Sequence, residues 1–290
     1  MLRYPADIKT LASLVAATAL FVVQWRGDQL DWRLYVPYLY LSIAASAIAH
    51  NHNHVRTWTS RPLNWATDIW ITLIYGFPVF AWIPTHNKNH HKYNNAAPDT
   101  SRTWRYWEAN NVFTLLSYPA ISSFFQQGLI GAYLSESRRT NRLQYWEAVS
   151  QSAILLLWIA GAFLLDWKKA LVFVVIPQQV SLGAVLCFNY IQHVHADEED
   201  AWNHSRNFTG GLLNALLFNN GFHTIHHLRP GLHWSAAPAA HRAIAANIDS
   251  TLNERSLAWY LTRTYLLAPF IPGLRRSAPR ATRTGERAGA

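Results

Sequence analysis

Residues 221–227 read Gly-Phe-His-Thr-Ile-His-His, with three of the chain's 14 histidines inside five positions. Two more clusters exist: His-Asn-His-Asn-His at 50–54 and His-Asn-Lys-Asn-His-His at 86–91. A helix brings residues three or four apart onto one face. His50 and His54 meet that condition, as do His86 and His90, with His91 beside them, and His223 and His226, with His227 adjacent. His52 points about 200° away from the His50 face, because a helix turns once in 3.6 residues. It is expected to support a ligand or to face solvent. Asn189-Tyr190-Ile191-Gln192-His193 adds a fourth element in which Asn189 and His193 share a face.

Clusters that belong to one site must lie on one side of any membrane, so their reading decides the fold. The composition points to a membrane. Half of the 290 residues are apolar and 14% are charged, well below the usual quarter. Fourteen tryptophans suit a protein with many side chains at the lipid–water interface. Four runs approach the length that crosses a bilayer: 9–25, 34–49, 149–165 and 170–188. Two further runs, 65–83 and 112–134, carry Asp68, Pro78, Pro119, Gln126 and Gln127.

Parity sorts these runs. An even number of crossings must separate any two clusters on one side. The run 65–83 stands alone between the first and second clusters, so it is expected to lie in the interface or to dip in and return. The run 112–134, the weakest of the three between His91 and His193, is likewise expected not to cross. Two hairpins remain, joined at 26–33 and 166–169. Those connections hold only Arg26, Arg33, Lys168 and Lys169, and the other Lys and Arg lie on the opposite side. The positive-inside bias then places both termini and every cluster in the cytosol. The expected fold is all-α and integral to the membrane, with about four transmembrane helices in two hairpins, interfacial helices and a cytosolic helical cap carrying the histidines. Residues 1–274 form this domain, and the basic tail 275–290 is expected to be disordered. No cleaved signal peptide is expected.

The formal charge of +9 is spread along loops between apolar runs, which suits anionic lipid headgroups and argues against nucleic acid as a partner. One cysteine, Cys187, excludes an internal disulfide and a thiolate metal site. Neutral imidazoles suit zinc, copper, iron or nickel. A structural zinc takes four ligands. Nine histidines exceed that number and suffice for two irons with open positions, which O2 chemistry requires. A metal transporter with histidine-rich loops is the rival from another class. It would need ionisable residues inside the spans, and these hold almost none.

The three clusters, in order, spacing and placement around two hairpins, resemble the histidine boxes of the membrane fatty acid desaturases and related hydroxylases. The resemblance covers about residues 34–245. It implies a cytosolic di-iron site that uses O2 as co-substrate, with a lipid or fatty acyl substrate. The ligands would be His50 and His54, then His86, His90 and His91, then His223, His226 and His227, with His193 as the extra ligand and Asn189 acting through a water. Electrons would come from a separate donor, of ferredoxin or cytochrome b5 type with its reductase, because no b5-like heme motif is present. The implied reaction is desaturation of a long acyl chain, as lipid or thioester. The Asn-Tyr-x-x-His element, however, resembles that of membrane alkane hydroxylases and keeps hydroxylation open as the alternative.

Asp68, Asp99, Glu108 and Asp197 are the acids nearest the boxes in sequence and are candidates to orient the imidazoles. Phe77, Phe80, Trp82, Phe113, Phe218 and Phe222 could wall a channel, though ordinary packing explains each one. Lys88, Lys92, Arg102, Arg105 and Arg138 could meet an anionic headgroup or an acidic donor.

Overall fold

The computed structural model describes residues 1–274 and Arg280. The tail 275–290 assigned from the sequence therefore lies, apart from Arg280, outside the described residues. In chain order the helices are α1 (Ile8–Arg26), α2 (Trp32–His54), α3 (Arg61–Tyr75), α4 (His91–Tyr93), α5 (Val112–Thr140), α6 (Arg142–Leu165), α7 (Trp167–Ala170), α8 (Ile176–His193), α9 (Gly211–Leu216), α10 (His223–Leu228), α11 (Ala237–Ile244) and α12 (Leu257–Leu261). A π-helical run, Ile83–His90, leads into α4, and another, Leu171–Val175, joins α7 to α8. The only strands among the described residues are β1 (Asn207–Phe208) and β2 (Asn253–Glu254), paired in parallel with Asn207 opposite Asn253.

Capping explains the hairpin boundaries. The Asp31 carboxylate accepts the N–H of Arg33 and starts α2, and Asp166 accepts the N–H groups of Lys168 and Lys169 and starts α7. Three helical segments among the described residues are long and apolar enough to span a bilayer: Pro5–Arg26, Arg142–Leu165 and Trp167–His193. They contain the first, third and fourth expected spans. The second expected span, 34–49, lies inside α2, which has the length without the apolarity. Arg33, Pro37 and three tyrosines in its first half lower its hydropathy. The run 65–83 is not one straight helix. Arg61–Tyr75 and Val79–Tyr93 meet at 97°, across a break where Gly76 takes φ +84° and Pro78 follows. The run 112–134 lies within α5, which is not one of the three apolar segments.

The chain divides into two compact units. Unit 1 comprises residues 1–87 and 127–185, and unit 2 comprises 88–126 and 186–290. In unit 1, α2 carries fully buried small residues, among them Ala44 and, sharing one face, Ser42, Ala45 and Ala49. Small residues let helix backbones approach, and the Ser181 hydroxyl donates to the Ser42 carbonyl at 2.5 Å. Tyr35 and Tyr38 pack with Phe173 and donate to the carbonyls of Val172 and Phe173 at 2.7 and 3.0 Å. In unit 2, Tyr118, Tyr190, Ile191, Phe208 and Tyr260 form the core. The buried Arg206 donates to the carbonyl of Ile191 at 2.6 Å, near the end of α8, and Arg263 pairs with Glu254 at 2.6 Å beneath β2. These contacts hold α8, β1 and β2 in place, and α8 and the segment after β1 carry histidines.

Candidate metal centre

Unit 1 gathers three imidazoles. One helical turn separates His50 from His54 at the end of α2, and their ring centroids are 5.0 Å apart. His86, from the first π-helical run, places Nε2 3.0 Å from His50 Nε2 and its ring 5.1 Å from that of His54. Trp82 lies edge-on to His50 and His86, with centroids 5.4 and 5.0 Å away. Of the six suggested channel residues, Trp82 touches the proposed ligands of its unit. Phe80 instead packs on Tyr133 and Ala148.

His52 faces away from this trio, as the helical period requires, but it is buried and not solvent-facing. Its Nδ1 accepts the Thr57 N–H at 3.2 Å and lies 2.8 Å from the Thr57 hydroxyl. The ring proton is therefore on Nε2, 3.3 Å from Asp68 Oδ1. Arg56 donates to the same oxygen at 2.7 Å.

Unit 2 gathers four imidazoles. His90, His193, His223 and His227 each offer a nitrogen, and these atoms all lie within 4.8 Å of one another. The π-helical run supplies His90, the end of α8 supplies His193, and α10 supplies the other two. His193 Nε2 is 3.1 Å from His90 Nε2 and 2.8 Å from His223 Nε2, which in turn is 3.2 Å from His227 Nε2. In the same unit His91 and His226 bring their Nε2 atoms to 2.9 Å.

One side chain orients His90. Its Nδ1 lies 2.7 Å from Asp99 Oδ2. A carboxylate only accepts, so Nδ1 carries the proton and Nε2 presents its lone pair to the cluster. Burial alone would raise the Asp99 pKa. The His90 ring and the hydrogen bonds from Ser101 outweigh it and hold the carboxyl well below the usual carboxylate range. The Ser101 N–H and hydroxyl both donate to Oδ1, and the Asn95 N–H donates to Oδ2. Burial, then the neighbouring imidazoles, keep His227 neutral far below the ordinary histidine pKa. Neutral imidazole is the form that binds metal.

This arrangement fits a cation. A neutral imidazole has one N–H, and that of His90 is committed to Asp99. His193 Nε2 faces two ring nitrogens at once and can donate to only one of them. A metal among the four nitrogens would use every lone pair, with donors of the class that suits iron, zinc or copper.

Asn189 lies one turn before His193 on α8. Its amide donates to the Tyr118 hydroxyl at 2.7 Å, and that hydroxyl donates to the Ser101 carbonyl at 2.5 Å. Of the four acids singled out from sequence, Asp99 orients a cluster histidine and Asp68 meets His52. The backbone carbonyl of Glu108 receives His195 Nε2, and the carboxylate faces Arg280 at 3.4 Å. The Asp197 side chain accepts the Glu199 N–H. Arg105 stacks on Phe125 with its guanidinium 3.9 Å from the ring centroid.

His204 was missed. It is buried, its ring lies 5.4 Å from that of His227, and burial lowers its pKa to about 4. It stands alone between Asn203 and Ser205, with no second histidine at helical spacing to mark it.

No curated protein and no solved structure matches the chain. The family model described as fatty acid desaturase matches residues 30–262, a stretch that contains all three histidine clusters, Asn189 and His193. The chain belongs to the fatty acid desaturase family.

Proposed function

We propose that this protein is an O2-dependent di-iron oxidoreductase that desaturates a long acyl chain, taking two electrons from a separate donor of ferredoxin or cytochrome b5 type. The observation that carries the reading is the imidazole quartet of His90, His193 and His223, all buried, and the partly buried His227, with Asp99 fixing the first of them. The proposed ligands are these four, His50, His54 and His86, and the pair His91 and His226. Asn189 would act through a bound water: one of its two amide N–H groups donates to Tyr118, and its oxygen is the acceptor for that role. Iron, O2 and electrons supply an oxidant able to take hydrogen from an unactivated methylene, which no acid or base side chain can do. The chain's own residues hold the imidazoles neutral and aimed, exclude water, and align the substrate. The substrate is a fatty acyl lipid or thioester, and both termini and the site face the cytosol.

Hydroxylation is the second reading. It is favoured by the sequence from Asn189 to His193, in which Asn189 and His193 share one face of α8. The two outcomes differ by where the chain sits, and about 1.4 kcal/mol changes a rate tenfold. Expression in a host followed by lipid mass spectrometry separates them. Chains lighter by two hydrogens are expected. Chains heavier by one oxygen would establish the hydroxylase, and an unchanged profile beside a His226→Ala control would sink both readings for that host's lipids.

A further inference from the structure

The corner between α5 and α6 carries a cleft of about 790 Å³ lined by Ser135, Arg138, Arg139, Arg142, Tyr145 and Trp146. Arg138 and Arg139 lie in the last turn of α5, where a helix end favours cations. Arg142 is the first residue of α6, where the positive end of the helix disfavours one. Among the described residues no carboxylate pairs with any of the three. Glu136, nearby on α5, does not line the cleft. The contrast with a second cleft in the same unit is informative. That one, of about 470 Å³, includes Arg56 and Arg61, but Asp68 and Glu147 already neutralise them, Glu147 through a two-point pair at 2.8 and 2.9 Å.

The surroundings say what would neutralise the free guanidinium groups. α6 is apolar enough to cross a bilayer and begins at Arg142, and Leu156 and Leu157 farther along it are largely exposed. The cleft therefore stands at one end of a membrane span. Trp146 and Leu143 are also exposed there, and Tyr145 lies edge-on to Trp146 with centroids 5.1 Å apart. Tryptophan at a span end favours headgroup depth. Guanidinium forks match phosphate oxygens in pairs. We propose that this corner is a binding site for an anionic phospholipid, with the phosphate held by Arg138, Arg139 and Arg142 and the upper acyl chain against Trp146.

Native mass spectrometry of the purified full chain tests it, with phosphatidylglycerol and phosphatidylcholine supplied in equal amounts. The wild type should retain phosphatidylglycerol preferentially. R138Q/R139Q/R142Q should lose that preference by about tenfold or more, since each basic residue near anionic lipid contributes about 1 kcal/mol. R26Q/R33Q/K168Q removes the same charge at exposed positions elsewhere and should leave the preference intact. Equal loss in both triples would mean general charge attraction and overturn the site. So would displacement of the lipid by millimolar inorganic phosphate, which would mark a plain anion cleft. Should the glutamine triple fail to fold, R142Q alone is expected to lower the preference several-fold, and no change would overturn the proposal.

Discussion

His90 shows how a single residue is prepared for the metal-ligand role proposed for it. Asp99 takes the proton-bearing Nδ1 at 2.7 Å and Nε2 meets His193 at 3.1 Å. Carboxylates placed this way raise ligand basicity, and their removal typically weakens metal binding by about 10–100-fold. Asp99→Asn keeps the shape and removes the charge. Iron per chain, titrated against a chelator, should show a loss of affinity in that range, and an unchanged titration would separate Asp99 from the metal. His52 sits in the same box as His50 and does different work. His50→Ala should remove bound iron. His52→Ala should retain iron and lower the melting temperature, because it leaves the Thr57 N–H buried and unpaired, at about 1–3 kcal/mol. Iron loss equal to that of His50→Ala would contradict the helical-face argument. The helical period alone separates His50 and His54 from His52 in sequence. It could not show that His52 is buried, because burial depends on the loop carrying Thr57 and on Asp68 of α3. Nor could it choose Asp99 among the four acids that proximity to the boxes picks out, because Asp99 reaches His90 through a loop with no period to read.

The turn after α3 is the element on which the bent pair depends. Gly76 has φ +84°, and a Cβ there would stand 2.3 Å from the Gln178 Cβ. The Gln178 amide donates to the Leu73 carbonyl at 2.8 Å, so its side chain is held in place against the end of α3. Two costs can be told apart. A left-handed φ is tolerated by asparagine far better than by alanine, whereas close approach penalises the larger side chain. Gly76→Asn should therefore destabilise the detergent-purified protein at least as much as Gly76→Ala, each by about 1–3 kcal/mol, read as a fall in melting temperature. A milder asparagine variant would show that the dihedral alone matters. Sequence reasoning anticipated that 65–83 would not be a plain span, from Asp68, Pro78 and parity. It did not foresee the π-helical run Ile83–His90, since such a run keeps helical composition and differs only in which carbonyl each N–H meets. The short strands β1 and β2 were equally hidden, being two residues each.

At the scale of the whole chain, the proposed two-hairpin topology has α2 crossing the membrane although its first half is rich in tyrosine. The hydrogen bonds of unit 1 remove the objection. A polar group is tolerated in lipid when it is satisfied internally. Tyr35 and Tyr38 donate to carbonyls within the π-helical run Leu171–Val175, and the carbonyl of Ser42 accepts from Ser181. Low hydropathy and a crossing are thus compatible for a helix whose Tyr35 and Tyr38 hydroxyls are spent on a neighbouring segment and whose Ser42 and Ser46 hydroxyls are spent within it. This makes the topology testable at two points. Gln29 lies in the connection between α1 and α2, and Lys168 lies in the first turn of α7, just after α6 ends at Leu165; both are exposed. If α1 and α2 form one hairpin and α6 to α8 the other, reporter domains fused at these positions should both give the non-cytosolic signal, while a fusion in the 86–91 segment gives the cytosolic one. A cytosolic signal at Gln29 would mean that α2 does not cross. The first cluster, at the far end of α2, would then share its side of the membrane with that connection, and the pairing of hairpins behind the whole assignment would have to be redrawn.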